Sequence, residues 1–124
     1  MLSDPQPLRE VEPRAAHLQA RSGVPLVDVR APHEQVRGRI QGARERGDGE
    51  RALELCLRLA ASAPDGIVVC ATGVRSAAIT RELSLAGFPG WRSLAGGIAA
   101  WTSAGLPVIR DDALTNEQHE RYSR

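Results

Sequence analysis

The chain has 124 residues, 42% of them hydrophobic, which suits one compact domain with a modest core. Sixteen basic residues are interspersed with fifteen acidic ones for a formal net charge of +1, so the surface lacks the field that gathers nucleic acid or an anionic membrane. No apolar stretch approaches the roughly 20 residues of a membrane span. Met1-Leu2-Ser3-Asp4-Pro5 also lacks the basic and apolar regions of a secretory signal, so the cytoplasm is the expected location. The two cysteines, Cys56 and Cys70, form neither a disulfide framework nor a metal-ligand cluster, which agrees with a reducing compartment. Neither a metal nor another cofactor is expected.

In chain order, short apolar runs alternate with helix-length segments, the signal for an α/β domain with a mainly parallel sheet. Leu8 to Val11 predicts a first short strand, and Glu12-Pro13 opens a helix with Ala15, Ala16 and Leu18 inward, ended by Gly23. Pro25-Leu26-Val27-Asp28-Val29 is almost continuously apolar, as a strand covered on both faces should be, and is expected at the centre of the sheet. Ala31-Pro32-His33-Glu34 starts a short helix that Gly38 closes. Leu53, Cys56, Leu57 and Ala60 follow helical spacing, with Leu55 and Leu59 widening the buried face. Pro64-Asp65-Gly66 is turn chemistry ahead of a second strong strand, Ile67 to Val69. Ser76 to Ala86 reads as a helix with Ile79, Leu83 and Ala86 inward, stopped by Gly87. A strand at Trp91 to Leu94, a tight turn at Gly96-Gly97 and a helix at Ile98 to Ala104 complete the domain, with Trp91 and Trp101 packed between sheet and helices. From Arg110 onward there is almost nothing to bury, so 110–124 reads as an exposed tail or linker beside a domain of residues 8–109.

The chemistry concentrates at Cys70-Ala71-Thr72-Gly73-Val74-Arg75, which follows a strand and precedes a helix. Free amides at a helix start carry partial positive charge and Arg75 adds a full one, and both favour thiolate, the nucleophilic form. The competing reading is a small buried hydrophobe at a strand end, and the C-x4-R string alone leaves the two level. Cys56, at helical core spacing, reads as a packed residue rather than a resolving thiol. His17 and His119 read as solvated.

Leu26-Val27-Asp28-Val29-Arg30-Ala31-Pro32-His33-Glu34, Gly38-Arg39-Ile40-Gln41-Gly42-Ala43, Val69-Cys70-Ala71-Thr72-Gly73-Val74-Arg75-Ser76-Ala77 and Gly96-Gly97-Ile98-Ala99-Ala100-Trp101 are four motifs that, together and in this order, resemble those of a single-domain rhodanese. The resemblance covers about residues 8–109. It implies a small doubly wound, mainly parallel sheet with helices on both faces. It also implies a sulfurtransferase whose Cys70 alternates between thiolate and persulfide while carrying sulfane sulfur from a donor to a nucleophilic acceptor. His33 lies in a family motif without a required catalytic part.

On those positions, the amides of Ala71, Thr72, Gly73, Val74 and Arg75 should converge on a partly exposed sulfur and hold the persulfide anion and its donor, with Gly73 supplying the unusual backbone angle. Arg75 either binds the anionic donor or braces the loop against a carboxylate. Asp28 and Arg30 form a supporting charge network, and Ser76 is the N-cap of the following helix.

Two departures stand out. Residues 44–50 are densely charged where the family has a short apolar strand, leaving either no strand there or only extended loop. The loop positions Ala71, Thr72 and Val74 carry no charge, so thiosulfate should bind weakly and a protein persulfide becomes the expected donor. The tail Leu114-Thr115-Asn116-Glu117-Gln118-His119-Glu120-Arg121-Tyr122-Ser123-Arg124 resembles the opening of adenylyltransferases, relatives of ubiquitin-activating enzymes, that activate ubiquitin-like sulfur-carrier proteins. That resemblance implies partnership with such a carrier and its adenylyltransferase, in molybdopterin, thiamine or thiolated-tRNA synthesis. The rival classes are a non-catalytic rhodanese-like binding module, which usually lacks the cysteine, and a cysteine phosphatase or arsenate reductase, whose C-x5-R loop is one residue longer.

Overall fold

The computed structural model describes residues 9–47 and 49–110. The tail resemblance at 114–124, with His119, lies outside the described residues. Five strands form one sheet: β1 (Glu10–Val11), β2 (Leu26–Asp28), β3 (Arg44–Glu45), β4 (Gly66–Val69) and β5 (Trp91–Leu94). All pairings are parallel, in the order β1-β5-β4-β2-β3. Parallel neighbours need crossovers, and helices α1 (Pro13–Arg21), α2 (Pro32–Gln35), α3 (Ala52–Ala60), α4 (Val74–Leu85) and α5 (Gly97–Ser103) supply them or follow the last strand.

Period-two alternation divides the core. Along β4, Ile67 and Val69 face Ala16 of α1 and Trp101 of α5, while Val68 and the following Cys70 face Leu55 and Cys56 of α3 and Leu83 of α4. Both faces are therefore covered, which is why β2 and β4 are apolar runs rather than alternating ones. Because every strand runs the same way, the ends of β2, β4 and β5 meet at one carboxyl edge, where open α/β sheets place their ligands.

Several expectations are corrected. The middle of the sheet is β4; β2 lies between β4 and β3, one position from the edge. The charged 44–50 segment does contain a strand, the exposed two-residue β3, whose Arg44 and Glu45 pair with Val27 and Asp28. Leu18 is 67% exposed, because α1 turns Ala16 and Ala20 to the core and position 18 falls on the opposite side. Ala86 is exposed at the end of α4, and Phe88, whose amide bonds to the Leu83 carbonyl, packs against the core instead. His17 is half-buried, edge-on to Trp101 with ring centroids 5.4 Å apart, rather than solvated. His33 is exposed.

Candidate active site

Cys70 follows the last residue of β4, and the chain turns through Ala71, Thr72 and Gly73 before α4 begins at Val74. Gly73 makes this tight connection with φ +95°, in the left-handed region that side chains disfavour. Glycine is needed a second time at Gly97, φ +63°, where a Cβ would lie 2.4 Å from the Cys70 carbonyl oxygen. That close approach lets the amides of Ile98 and Ala99, in the first turn of α5, donate to the carbonyls of Cys70 and Ala71 at 2.9 and 3.1 Å. With its carbonyls turned to α5, the loop presents amides to the sulfur.

Cys70 Sγ accepts from the Gly73 amide at 3.1 Å and the Ser76 amide at 3.3 Å, and lies 3.3 Å from Ser76 Oγ. Burial pushes the Cys70 thiol up, but the Ser76 hydroxyl and the amides of Ser76, Gly73 and Thr72 outweigh it, so its pKa falls below the ordinary cysteine value. Two expectations change here. Cys70 is 1% exposed rather than partly exposed, so the reagent must reach it through the loop mouth. Ser76 is not the N-cap: that position is Gly73, and Ser76, in the first turn of α4 and fully buried, brings both its amide and its hydroxyl to the sulfur. The hydrogen-bonded amides thus extend one residue beyond the expected 71–75 stretch, while those of Ala71, Val74 and Arg75 make no such bond.

Asp28 and Arg30 form a buried ion pair at 2.8 Å beside this loop. The guanidinium also donates to the Glu34 and Gly38 carbonyls at 3.3 and 2.7 Å, tying the segment after β2 to the sheet edge. Arg75 grips Glu34 with both arms, at 3.2 and 3.1 Å. This contact is of the kind the brace reading of Arg75 expects. Arg75 holds the Glu34 carboxyl below the usual carboxylate range, with the Ala31 amide helping. A cleft of about 250 Å³ opens between this segment and α5, lined by Arg30, Glu34, Arg37, Ile98 and Arg110 among others.

The structure therefore brings together Cys70, Gly73, Arg75, Ser76, Asp28 and Arg30, with Ala71, Thr72 and Val74 on the loop surface. Cys56 stands apart in the α3 core, where burial first and the Glu50 charge second push its thiol up to about 12. Sequence reasoning missed Glu34 as the partner of Arg75, and missed Ser93, whose hydroxyl lies 2.6 Å from that of Ser76. The clue to Ser93 was a lone serine on the Trp91 side of β5, a side that alternation turns to the core. Among the described residues no helix is long and apolar enough to cross a membrane.

Known proteins carry the same fold. No curated protein sequence matches. A rhodanese-related protein from Thermoplasma volcanium is 27% identical, with a TM-score of 0.66 over 82% of this chain and 98% of that one. A thiosulfate sulfurtransferase from Pseudomonas aeruginosa is 30% identical, with a TM-score of 0.68 over 83% of this chain and 20% of that one. A Rhodopseudomonas palustris protein of unknown function, described as a possible tyrosine phosphatase, is 26% identical, with a TM-score of 0.65 over 82% and 84%. The rhodanese-like domain family itself matches residues 13–104, the greater part of the sequence, and the chain belongs to that family.

Proposed function

We propose that the protein is a sulfurtransferase that carries sulfane sulfur as a persulfide on Cys70. The observation that carries this reading is a buried sulfur held by two amides and a hydroxyl, with its pKa lowered in spite of burial. The thiolate attacks the sulfane sulfur of a donor, the donor's S–S bond breaks, and sulfite or a thiolate leaves with the bonding pair. The product, Cys70–S–S⁻, carries its charge on the outer sulfur, facing amides already oriented toward an anion. An acceptor nucleophile then attacks the outer sulfur, and the Cys70 thiolate is returned. The lowered pKa favours the thiolate, the form that attacks, and no residue is assigned as a general base.

The donor we favour is a protein persulfide. Arg75 is engaged by Glu34, and the loop offers Ala71, Thr72 and a 74% exposed Val74, so no loop cation is free to take the sulfonate of thiosulfate. The neighbouring cleft adds positive charge through Arg37 and Arg110, neither of them ion-paired among the described residues. The acceptor we favour is a ubiquitin-like sulfur-carrier protein activated by an adenylyltransferase. Its support is the resemblance of residues 114–124.

A phosphatase reading has one point in its favour, the description of the Rhodopseudomonas palustris protein. Against it, a bound phosphate would have to compete with the Glu34 carboxylate for Arg75, in a loop one residue shorter than phosphatase chemistry uses. Mass spectrometry decides the matter. Incubation with a sulfane donor should add one sulfur atom to the Cys70 peptide, and incubation with cyanide, giving thiocyanate, should remove it. A Cys70 that never gains sulfur from thiosulfate or from a protein persulfide overturns the proposal.

A further inference from the structure

Ser93 is not among the hydrogen-bond partners of Cys70, and nothing in the persulfide chemistry requires it. Its side chain is fully buried on β5, where the strand register sets it beside Val68 of β4, and its hydroxyl lies 2.6 Å from Ser76 Oγ. Ser76 Oγ in turn lies 3.3 Å from Cys70 Sγ. Each hydroxyl has one proton, and in a buried site each proton needs an acceptor.

Only one arrangement serves the thiolate. If Ser76 donated to Ser93, the Ser93 proton would have no acceptor among its hydrogen bonds, and the sulfur would lose its hydroxyl donor. If Ser93 donates to Ser76, both protons are placed and the Ser76 proton is aimed at the sulfur. We infer that Ser93 is a positioning residue: it fixes the Ser76 hydroxyl rotor so that Ser76 donates to the sulfur of Cys70. The chain of two hydroxyls polarises in one direction, and each donor strengthens the next.

The charged groups around the sulfur are Arg75 on α4, Asp28 and Arg30 at the end of β2, and Glu34 on α2. None of them hydrogen-bonds to Ser93. The Ser93 effect should therefore travel through Ser76 alone.

The inference rests on Cys70 as the sulfur carrier, and its test separates the two claims. The rate of Cys70 alkylation by iodoacetamide is followed against pH on the full chain, with the product identified by peptide mass. Ser93→Ala should move the half-point of the profile up by about half a pH unit, a roughly threefold loss of reactivity below it. Ser76→Ala should move it further, and Ser93→Ala should add nothing in the Ser76→Ala background. Because Ser93→Ala leaves a small buried gap, an isosteric pair is also measured: Ser93→Thr should keep the parental half-point and Ser93→Val should raise it. An unchanged half-point in the variants lacking the hydroxyl overturns the inference, as does an equal shift with and without Ser76. Sulfur loading is assayed separately. A shifted half-point in a protein that never accepts sulfur would retain the hydroxyl chain and remove the carrier role; the reverse pattern would do the opposite.

Discussion

Cys70 and Cys56 belong to the same buried cluster, on the same face of the sheet, and neither has more than 1% of its surface exposed. By burial alone both should be inert. Yet Cys56 is pushed up to about 12 while Cys70 is drawn below the ordinary cysteine value. The difference is the surrounding backbone. Cys56 sits mid-helix, where the amides of α3 are bonded along the helix and none points at its sulfur. Cys70 sits where a strand becomes a helix, and amides that a helix start leaves without partners converge on it. Desolvation strengthens whatever electrostatics is present, so the same burial that silences one thiol makes the hydrogen bonds to the other more effective.

The largest expected effect comes from exchanging the sulfurs themselves. Cys70→Ser should abolish sulfur transfer, since no other described sulfur lies in an amide-lined turn. Cys56→Ser should keep most of the activity while losing about 1–3 kcal/mol of stability through a hydroxyl placed in an apolar cluster. Donor-to-cyanide turnover and thermal melts on both variants check this, and equal loss of turnover in two folded variants would break the comparison.

Alkylation of the native protein gives the next contrast. With a pKa of about 12, only roughly one Cys56 in 10⁵ is thiolate at neutral pH. Iodoacetamide should therefore label Cys70 with a rate that rises with pH and levels off at a lower pH than for an ordinary cysteine, and should label Cys56 only after unfolding. Site-resolved peptide masses provide the measurement.

A charge added to the neutral loop sharpens the comparison from the substrate side. Ala71→Arg should lower the KM for thiosulfate by about tenfold, through a charge-assisted contact to its sulfonate. The Cys56 environment should be untouched, so its alkylation on unfolding serves as the control.

The smallest effect is expected at the brace. Glu34→Gln should cost about 0.2–1 kcal/mol at neutral pH, the range of partly exposed ion pairs. Because the Glu34 pKa is depressed in the folded chain, its contribution is present above the ordinary carboxylate range. It is lost as pH falls through the lowered value. Melting curves of the parent and variant should therefore differ at neutral pH and converge in acid.

Much of this was legible in the sequence because it depends on short-range order. Continuous apolar runs at 26–29 and 67–69 declare strands covered on both faces, and a cysteine between strand and helix declares its amide surroundings from six consecutive residues. What escaped depends on the direction in which a side chain is carried. The choice of Ser76 as N-cap followed helix-start statistics, whereas a left-handed Gly73 starts α4 earlier and moves Ser76 into the first turn, under the sulfur. Residue type places Leu18 and Ala86 inward, whereas helix phase and the helix end turn them out. The Arg75–Glu34 and Ser93–Ser76 contacts span 41 and 17 residues, and no local pattern announces a pairing across such distances. Charge density at 44–50 spoke against a strand, but an edge position with one hydrogen-bonded side tolerates arginine and glutamate.

The closeness of Gly97 to the Cys70 carbonyl has a consequence for motion. The amides of Ile98 and Ala99 are held by the carbonyls of Cys70 and Ala71, so the start of α5 and the sulfur-bearing turn share their bonds and should open as one cooperative unit. In hydrogen exchange those two amides should fall into the same protection class as Gly73 and Ser76, and a persulfide that tightens the turn should slow exchange in α5 as well. A helix more than twenty residues downstream then reports whether the cysteine is loaded.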